Sequence, residues 1–290
     1  MKFTPLIFLA LLFAACTGDP APAETAEETP AAPYAERVAK AEQRLMNSSA
    51  GQRVLAAINA HGGLENWYAN SPLEYHFNYR PEPGEQGSVR NTLILNDYVN
   101  ARAVHKTMEP AGMSFGFDGQ DAWKGGPNEE SGMSPRFWSL TPYYFVGLPF
   151  VLADEGINFE ELEPTELDGT EYTPIKVTYA AGTGDADQDY YVLYLDPATN
   201  QLRALNYIVS YPGFFEEGTH LPEKLMRIKG YEVVDGIALP TGYSTYWSDA
   251  PDKKITDISV SDYAFKPATP ATAFDKPAGA VVVTDLPGAE

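Results

Sequence analysis

Residues 134–154 read SPRFWSLTPYYFVGLPFVLAD, the densest apolar and aromatic run outside the extreme N-terminus. Phe137, Trp138, Tyr143, Tyr144, Phe145, Leu148, Phe150, Val151 and Leu152 fall within it. As one helix, residues 137–152 would rise roughly 24 Å, less than the ~30 Å hydrocarbon core of a bilayer. Pro142, Gly147 and Pro149 should also break such a helix more than once, because proline removes an amide donor and clashes with the preceding turn. A membrane span is therefore not expected. The run has to cover an apolar surface made by the rest of the chain, and its prolines and glycine suit a segment that can rearrange.

On both sides of this run the apolar period is close to two, the signature of strands with one buried face. Before it, the candidates are residues 73–80, 89–97, 101–108 and 113–118. After it come 157–163, 171–180, 189–196, 202–211, 223–234, 238–247 and 254–265. Asp118-Gly119, Asp168-Gly169, Asp196-Pro197 and Asp235-Gly236 supply turn chemistry between them. About eleven strands at hairpin spacing, with one long non-strand insertion, point to a mainly β fold with helices (α+β). The expected sheet is antiparallel and closes on itself, as a half-closed barrel or a sandwich. Residues 34–45 hold good helix formers. Ser48 or Ser49 can cap a second helix with Val54, Leu55 and Ile58 on one face, stopped by Gly62-Gly63. Trp67 should then be laid into the core by a short turn, with His61 at the helix exit as a cap or core residue.

The N-terminus has a different character. Lys2, the apolar run Leu6–Phe13 and then Ala14-Ala15 form an export signal over residues 1–15. Cys16 is the only cysteine of the chain, and its position after two alanines resembles the bacterial lipobox, which implies acylation of its thiol. Phe13 departs from the usual leucine of that motif. Thr17 after the cysteine fits the outer membrane, by resemblance to known sorting rules. Residues 16–33 lack large apolar side chains and read as a flexible tether. The domain is expected over 34–266, with a Pro/Ala-rich tail over 267–290 that offers one edge strand at 281–283.

Length 290 permits one large or two small domains. The net charge is −20, from 40 acidic and 20 basic residues, with no Lys/Arg cluster. That balance argues against nucleic acid as a partner. A single cysteine excludes a disulfide within the chain and a cysteine metal site.

Three constellations bear on chemistry. Gly112-Met113-Ser114-Phe115-Gly116 is formally G-x-S-x-G, but a nucleophile elbow needs a helix after the serine, and Phe117-Asp118-Gly119 is a turn. Alternation of Met113, Phe115 and Phe117 puts Ser114 on the opposite face of a strand. Asp185, Asp187 and Asp189 alternate like calcium ligands, yet Tyr190 occupies the place of the required glycine. The histidines His61, His76, His105 and His220 lack paired spacing, although His76 and His105 could face each other across a sheet. No glycine-rich loop opens a helix after a strand. No catalytic residue, metal ligand or cofactor is assigned.

Several motifs carry a resemblance. His61-Gly62-Gly63-Leu64-Glu65-Asn66-Trp67 resembles the opening of an uncharacterised family of Gram-negative envelope lipoproteins. Phe117-Asp118-Gly119 through Trp123 is similar to a hairpin of that family and of the wider LolA–LolB-like lipoprotein carriers. Tyr194-Leu195-Asp196-Pro197 and Tyr231 through Pro240 resemble two later hairpins. Together they span residues 55–265. The resemblance implies a half-open antiparallel barrel whose concave face is covered by helices, over an apolar cavity, with residues 134–153 as the lid.

The function expected on these grounds is non-catalytic: a lipid-anchored envelope protein, outer-membrane and facing the periplasm. Within its barrel it would bind an acyl chain, lipid or lipoprotein. Phe137, Trp138, Tyr143, Tyr144, Phe145 and Phe150 are the candidate ligand-binding residues, the phenols of Tyr143 and Tyr144 being able to hold a polar head. Two rivals stand beside it: a structural or protein-interaction module with a filled core, and a hydrolase using Ser114.

Overall fold

The computed structural model describes residues 33–126 and 134–284. The signal segment, Cys16 and nearly all of the tether lie outside those residues. Helix α1 (Ala35–Leu45) buries Ala41 and Leu45. Helix α2 (Ser49–Ala60) starts at Ser48, whose Oγ accepts the Gly51 amide at 3.0 Å, and buries Val54, Ala57 and Ile58. Gly62 (φ +124°) and Gly63 (φ +80°) end it, in backbone conformations that side chains oppose. The short α3 (Leu64–Ala69) then carries Trp67 into the core, 1 % exposed.

The first strands are β1 (Leu73–Pro81), β2 (Arg90–Asp97), β3 (Arg102–Glu109), β4 (Ala111–Phe117) and β5 (Ala122–Gly125). The aromatic run follows as α4 (Pro135–Val146) and a 3₁₀ turn (Phe150–Ala153). After it come β6 (Ile157–Glu161), β7 (Thr165–Leu167), β8 (Thr170–Tyr172), β9 (Ile175–Tyr179), β10 (Tyr191–Leu195) and β11 (Leu202–Tyr207). The chain closes with β12 (Lys224–Val234), β13 (Ile237–Trp247), β14 (Ala250–Phe265) and β15 (Val281–Val283).

Thirteen of these strands form one antiparallel sheet in the order β15-β5-β4-β3-β2-β1-β14-β13-β12-β11-β10-β9-β6, and β7 with β8 makes a separate hairpin. This corrects the expectation of an eleven-stranded sheet closing on itself. β15 and β6 are its two edges and do not pair with each other. Strand β5, holding Trp123, was hidden in what reads as a turn. The segment 171–180 divides at Pro174, which has no amide to donate to a ladder.

The sheet is nevertheless deeply curved. Trp138 packs on Met113 and Phe115 of β4, while Phe145 meets Tyr191 of β10 with ring centroids 6.4 Å apart. Eight inter-strand steps separate β4 from β10. On a flat sheet they would span roughly 38 Å, whereas seven helical residues rise only about 10 Å. Both wings reach α4 only because the sheet wraps around it. Register shifts in β1, β12 and β13 add local bend and twist.

Pro142 does not break α4, contrary to the sequence reading; the helix ends at Gly147, whose amide donates to Tyr143 O at 2.6 Å. Proline costs the helix one amide bond to the Trp138 carbonyl, while Ser139 and Thr141 hydroxyls donate to Pro135 O and Phe137 O, both at 2.6 Å. The described part of the expected tail also folds back: β15 pairs with β5, and Phe274 is buried beneath the Arg102 guanidinium, 4.8 Å from its ring.

Candidate functional site

Between α4 and the concave face of the sheet lies a cavity of about 710 Å³. Its roof is α4, and its floor comes from inward-facing residues of β1 and of β9 through β13, one face of each strand pointing inward, and from Ile255, Thr256 and Ile258 of β14, where the register shifts. Phe137, Trp138, Tyr143, Tyr144 and Phe145 all line it. Each is set differently. Phe137 packs on Tyr211 and Phe214, at 5.1 and 5.0 Å between ring centroids. Trp138 stands edge-on to Tyr79 at 5.4 Å, under the Arg90 guanidinium at 4.4 Å. Phe145 contacts Tyr207 at 5.2 Å. The phenol of Tyr144 is hydrogen-bonded to that of Tyr179.

Phe150 does not border the cavity. It stacks on Trp67 at 4.4 Å, whose opposite face meets Tyr98 at 4.0 Å, and Tyr98 lies parallel to Tyr143 at 6.0 Å. This four-ring stack joins the 3₁₀ turn, α3, the β2–β3 turn and α4. Tyr98 adds a hydrogen bond from its hydroxyl to Trp67 O at 2.6 Å. Tyr143 is therefore the ring shared between solid core and cavity.

The N-terminal end of α4 is tied down electrostatically. Arg136 donates to both Asp185 oxygens, at 2.6 and 2.9 Å, and its guanidinium lies 3.6 Å from the Phe117 ring centre. A two-pronged arginine–carboxylate pair fixes orientation as well as distance. The cavity floor also contains polar groups that the sequence does not single out, Lys224, Thr245 and Thr256, and Asp189 of the alternating aspartates lines it as well. Burial raises the Asp189 carboxyl above the usual carboxylate range, although Ser210 donates to it through its amide and hydroxyl, at 2.6 and 2.7 Å.

No family model and no curated protein matches the chain. Among solved structures it is similar to a LolA superfamily protein from Nitrosomonas europaea. The TM-score is 0.52 at 12% identity, over 79% of this chain and 98% of that one. A DUF1329 family protein from Desulfovibrio piger gives a TM-score of 0.53 at 13% identity, again over 79% and 98% of the two chains. The fold is LolA-like. The likeness is one of backbone architecture: a curved antiparallel sheet with helices.

Within this LolA-like sheet the other sequence candidates lie apart. Ser114 sits inside β4, paired with Lys106 on one side and Gly125 on the other. The strand runs on to Phe117 and turns into β5, so no elbow and no following helix exist there. His105 stacks on Phe115 at 4.3 Å and is fully buried on the face opposite Ser114. His76 is on the outer face of β1, 2.9 Å from Asp262, so it and His105 do not face each other. His61 is a buried cap, its Nδ1 2.7 Å from Ala57 O. Asp185 and Asp189 have the partners given above, and Asp187 accepts from the Gly182 amide at 2.6 Å. Among the described residues no group of three or more His, Cys, Asp or Glu is placed to hold a metal ion.

Proposed function

We propose that this chain is a lipid-anchored protein of the bacterial envelope that holds an apolar ligand, an acyl chain or lipid, beneath α4 without catalysis. The observation that carries the reading is the cavity of about 710 Å³ bordered by five aromatic residues of one helix. Small-molecule pockets run from roughly 300 to 1,000 Å³ and are mostly apolar. Binding would be driven by burial, at about 25 cal/mol per Å² of ligand surface removed from water. Phe137, Trp138, Tyr143, Tyr144 and Phe145 are the proposed contacts, with Phe150 holding α4 from behind through the ring stack. The leader motif and Cys16 support acylation and an outer-membrane site facing the periplasm, with residues 16–33 as the tether.

The test is native mass spectrometry with lipid extraction, on the chain carrying Cys16→Ser so that any lipid found comes from the cavity. A co-purifying acyl species that is lost in folded Trp138→Ala or Phe145→Ala variants is the expected result. An empty protein that also refuses added fatty acids and phospholipids overturns the reading.

A further inference from the structure

Lys224 opens β12 on the floor of the cavity, between Tyr207 of β11 and Trp247 of β13 in the register of the sheet. Its ammonium lies 5.8 Å from the Tyr207 ring centre and 5.3 Å from that of Trp247. Among the described residues no carboxylate pairs with it and no acceptor hydrogen-bonds to it. Burial alone lowers its affinity for a proton. The other cation lining the cavity, Arg136, is already neutralised by Asp185. In a chain of net charge −20, an inward-facing ammonium left without a counter-ion is anomalous, because a desolvated charge is costly until it is paired.

A second unsatisfied group stands beside it. Thr245 is 2 % exposed, and its Oγ1 is buried without a hydrogen-bond partner among the described residues. Lys224 pairs with Trp247, and Met226 with Thr245, so Lys224 and Thr245 are diagonal neighbours on the same face of the sheet. Such neighbours are roughly 7–8 Å apart, a distance that one small anion can bridge. Thr256, next to Thr245 across the β13–β14 ladder, also lines the cavity.

We infer that the ligand of this cavity is an acyl chain ending in a single anionic group, a carboxylate or a phosphate, with Lys224 as its counter-ion and the Thr245 hydroxyl as a donor. The inference rests on the reading proposed above and narrows it: chain burial supplies affinity, and the floor of the cavity selects the charged head. Aromatic faces on either side of Lys224 hold the ammonium when the site is empty.

The experiment is displacement of a neutral apolar fluorophore, N-phenyl-1-naphthylamine, from the full chain carrying Cys16→Ser. The competitors are dodecanoate, dodecyl phosphate and 1-dodecanol, each below its aggregation limit. At least one anion should displace the probe at about tenfold lower concentration than the alcohol, and the stronger of the two identifies the head. Lys224→Met should abolish that preference, while Lys224→Arg should keep it. Equal displacement by acid, phosphate and alcohol in the unaltered cavity overturns the inference but leaves apolar binding standing, and needs no variant to fold. A preference that survives in Lys224→Met also overturns it. Failure of the probe and of every competitor to bind overturns the cavity reading itself.

Discussion

The backbone amide of Ala238 donates to the carbonyl of His61 at 2.8 Å, joining the exit of α2 to the start of β13. Beside it the Asn66 side-chain amide donates to Asp235 O at 3.0 Å. The motif around His61-Gly62-Gly63 and the hairpin at Asp235-Gly236 are thus two halves of one contact. A Cβ on Gly62 would lie 2.5 Å from Gly236 O and 2.9 Å from Ile237 Cδ1. Glycine is required there both for its positive φ and for this close approach.

Gly62→Ala should therefore destabilise the protein by about 2–4 kcal/mol, from backbone strain and overpacking together. Gly84 is the control: it too has a positive φ (+89°), but a Cβ there meets nothing within 4 Å. Gly84→Ala should cost only the strain, about 1 kcal/mol. Urea unfolding of the two variants measures the difference. Equal losses would mean that the joint between α2 and β13 is not tightly packed.

Phe150 and Trp138 belong to the same aromatic run but should separate in experiment. Phe150→Leu removes the ring stacked on Trp67 and should cost about 1–2 kcal/mol, less than the ~3–5 kcal/mol of a truncation to alanine. Ligand affinity of the folded molecules should stay within about twofold. Trp138→Leu should do the reverse, losing affinity with a smaller change in stability, because Trp138 is partly exposed at the cavity wall. Melting temperature and probe titration on both variants settle the ranking. The opposite ranking would assign Phe150 to the site and Trp138 to the core.

His105 should make stability depend on pH. Its Nε2 is 2.9 Å from Ser139 O, and burial holds its pKa down from 6.5 to about 4. Between those values the unfolded chain binds the proton and the folded one does not. The contribution is therefore complete above pH 6.5 and is lost as pH falls towards 4, on the order of 2–3 kcal/mol. Burial depresses His61 in the same direction, whereas Asp154 and Asp189 are raised by burial and act with the opposite sign. Urea unfolding from pH 4.5 to 7.5 should show a shallower slope for His105→Gln than for the natural chain. Parallel slopes would remove His105 as the source.

Local pattern was enough for much of this architecture. Period two located the long strands, because one face of each is buried, and Met113, Phe115 and Phe117 correctly kept Ser114 inside a strand. Ser48 and the Gly62-Gly63 pair marked the limits of α2, because capping and positive φ are properties of the residues themselves. Short or broken elements were not legible. β5 is only four residues long, and its pairing with β4 and β15 is what makes it a strand. Pro142 stays helical because α4 is held on both sides by packing that a single-residue rule does not include.

By itself the sequence determined that the chain is an antiparallel β structure with an aromatic segment laid across it, since alternation and turn chemistry act between near neighbours. Only the tertiary structure decided that the sheet stays open, that Phe150 joins the Trp67 stack while Phe145 faces the cavity, and that Lys224 points inward with no counter-ion among the described residues. Those outcomes depend on which residues from distant strands converge on one face, and the curvature of a thirteen-stranded sheet brings them together.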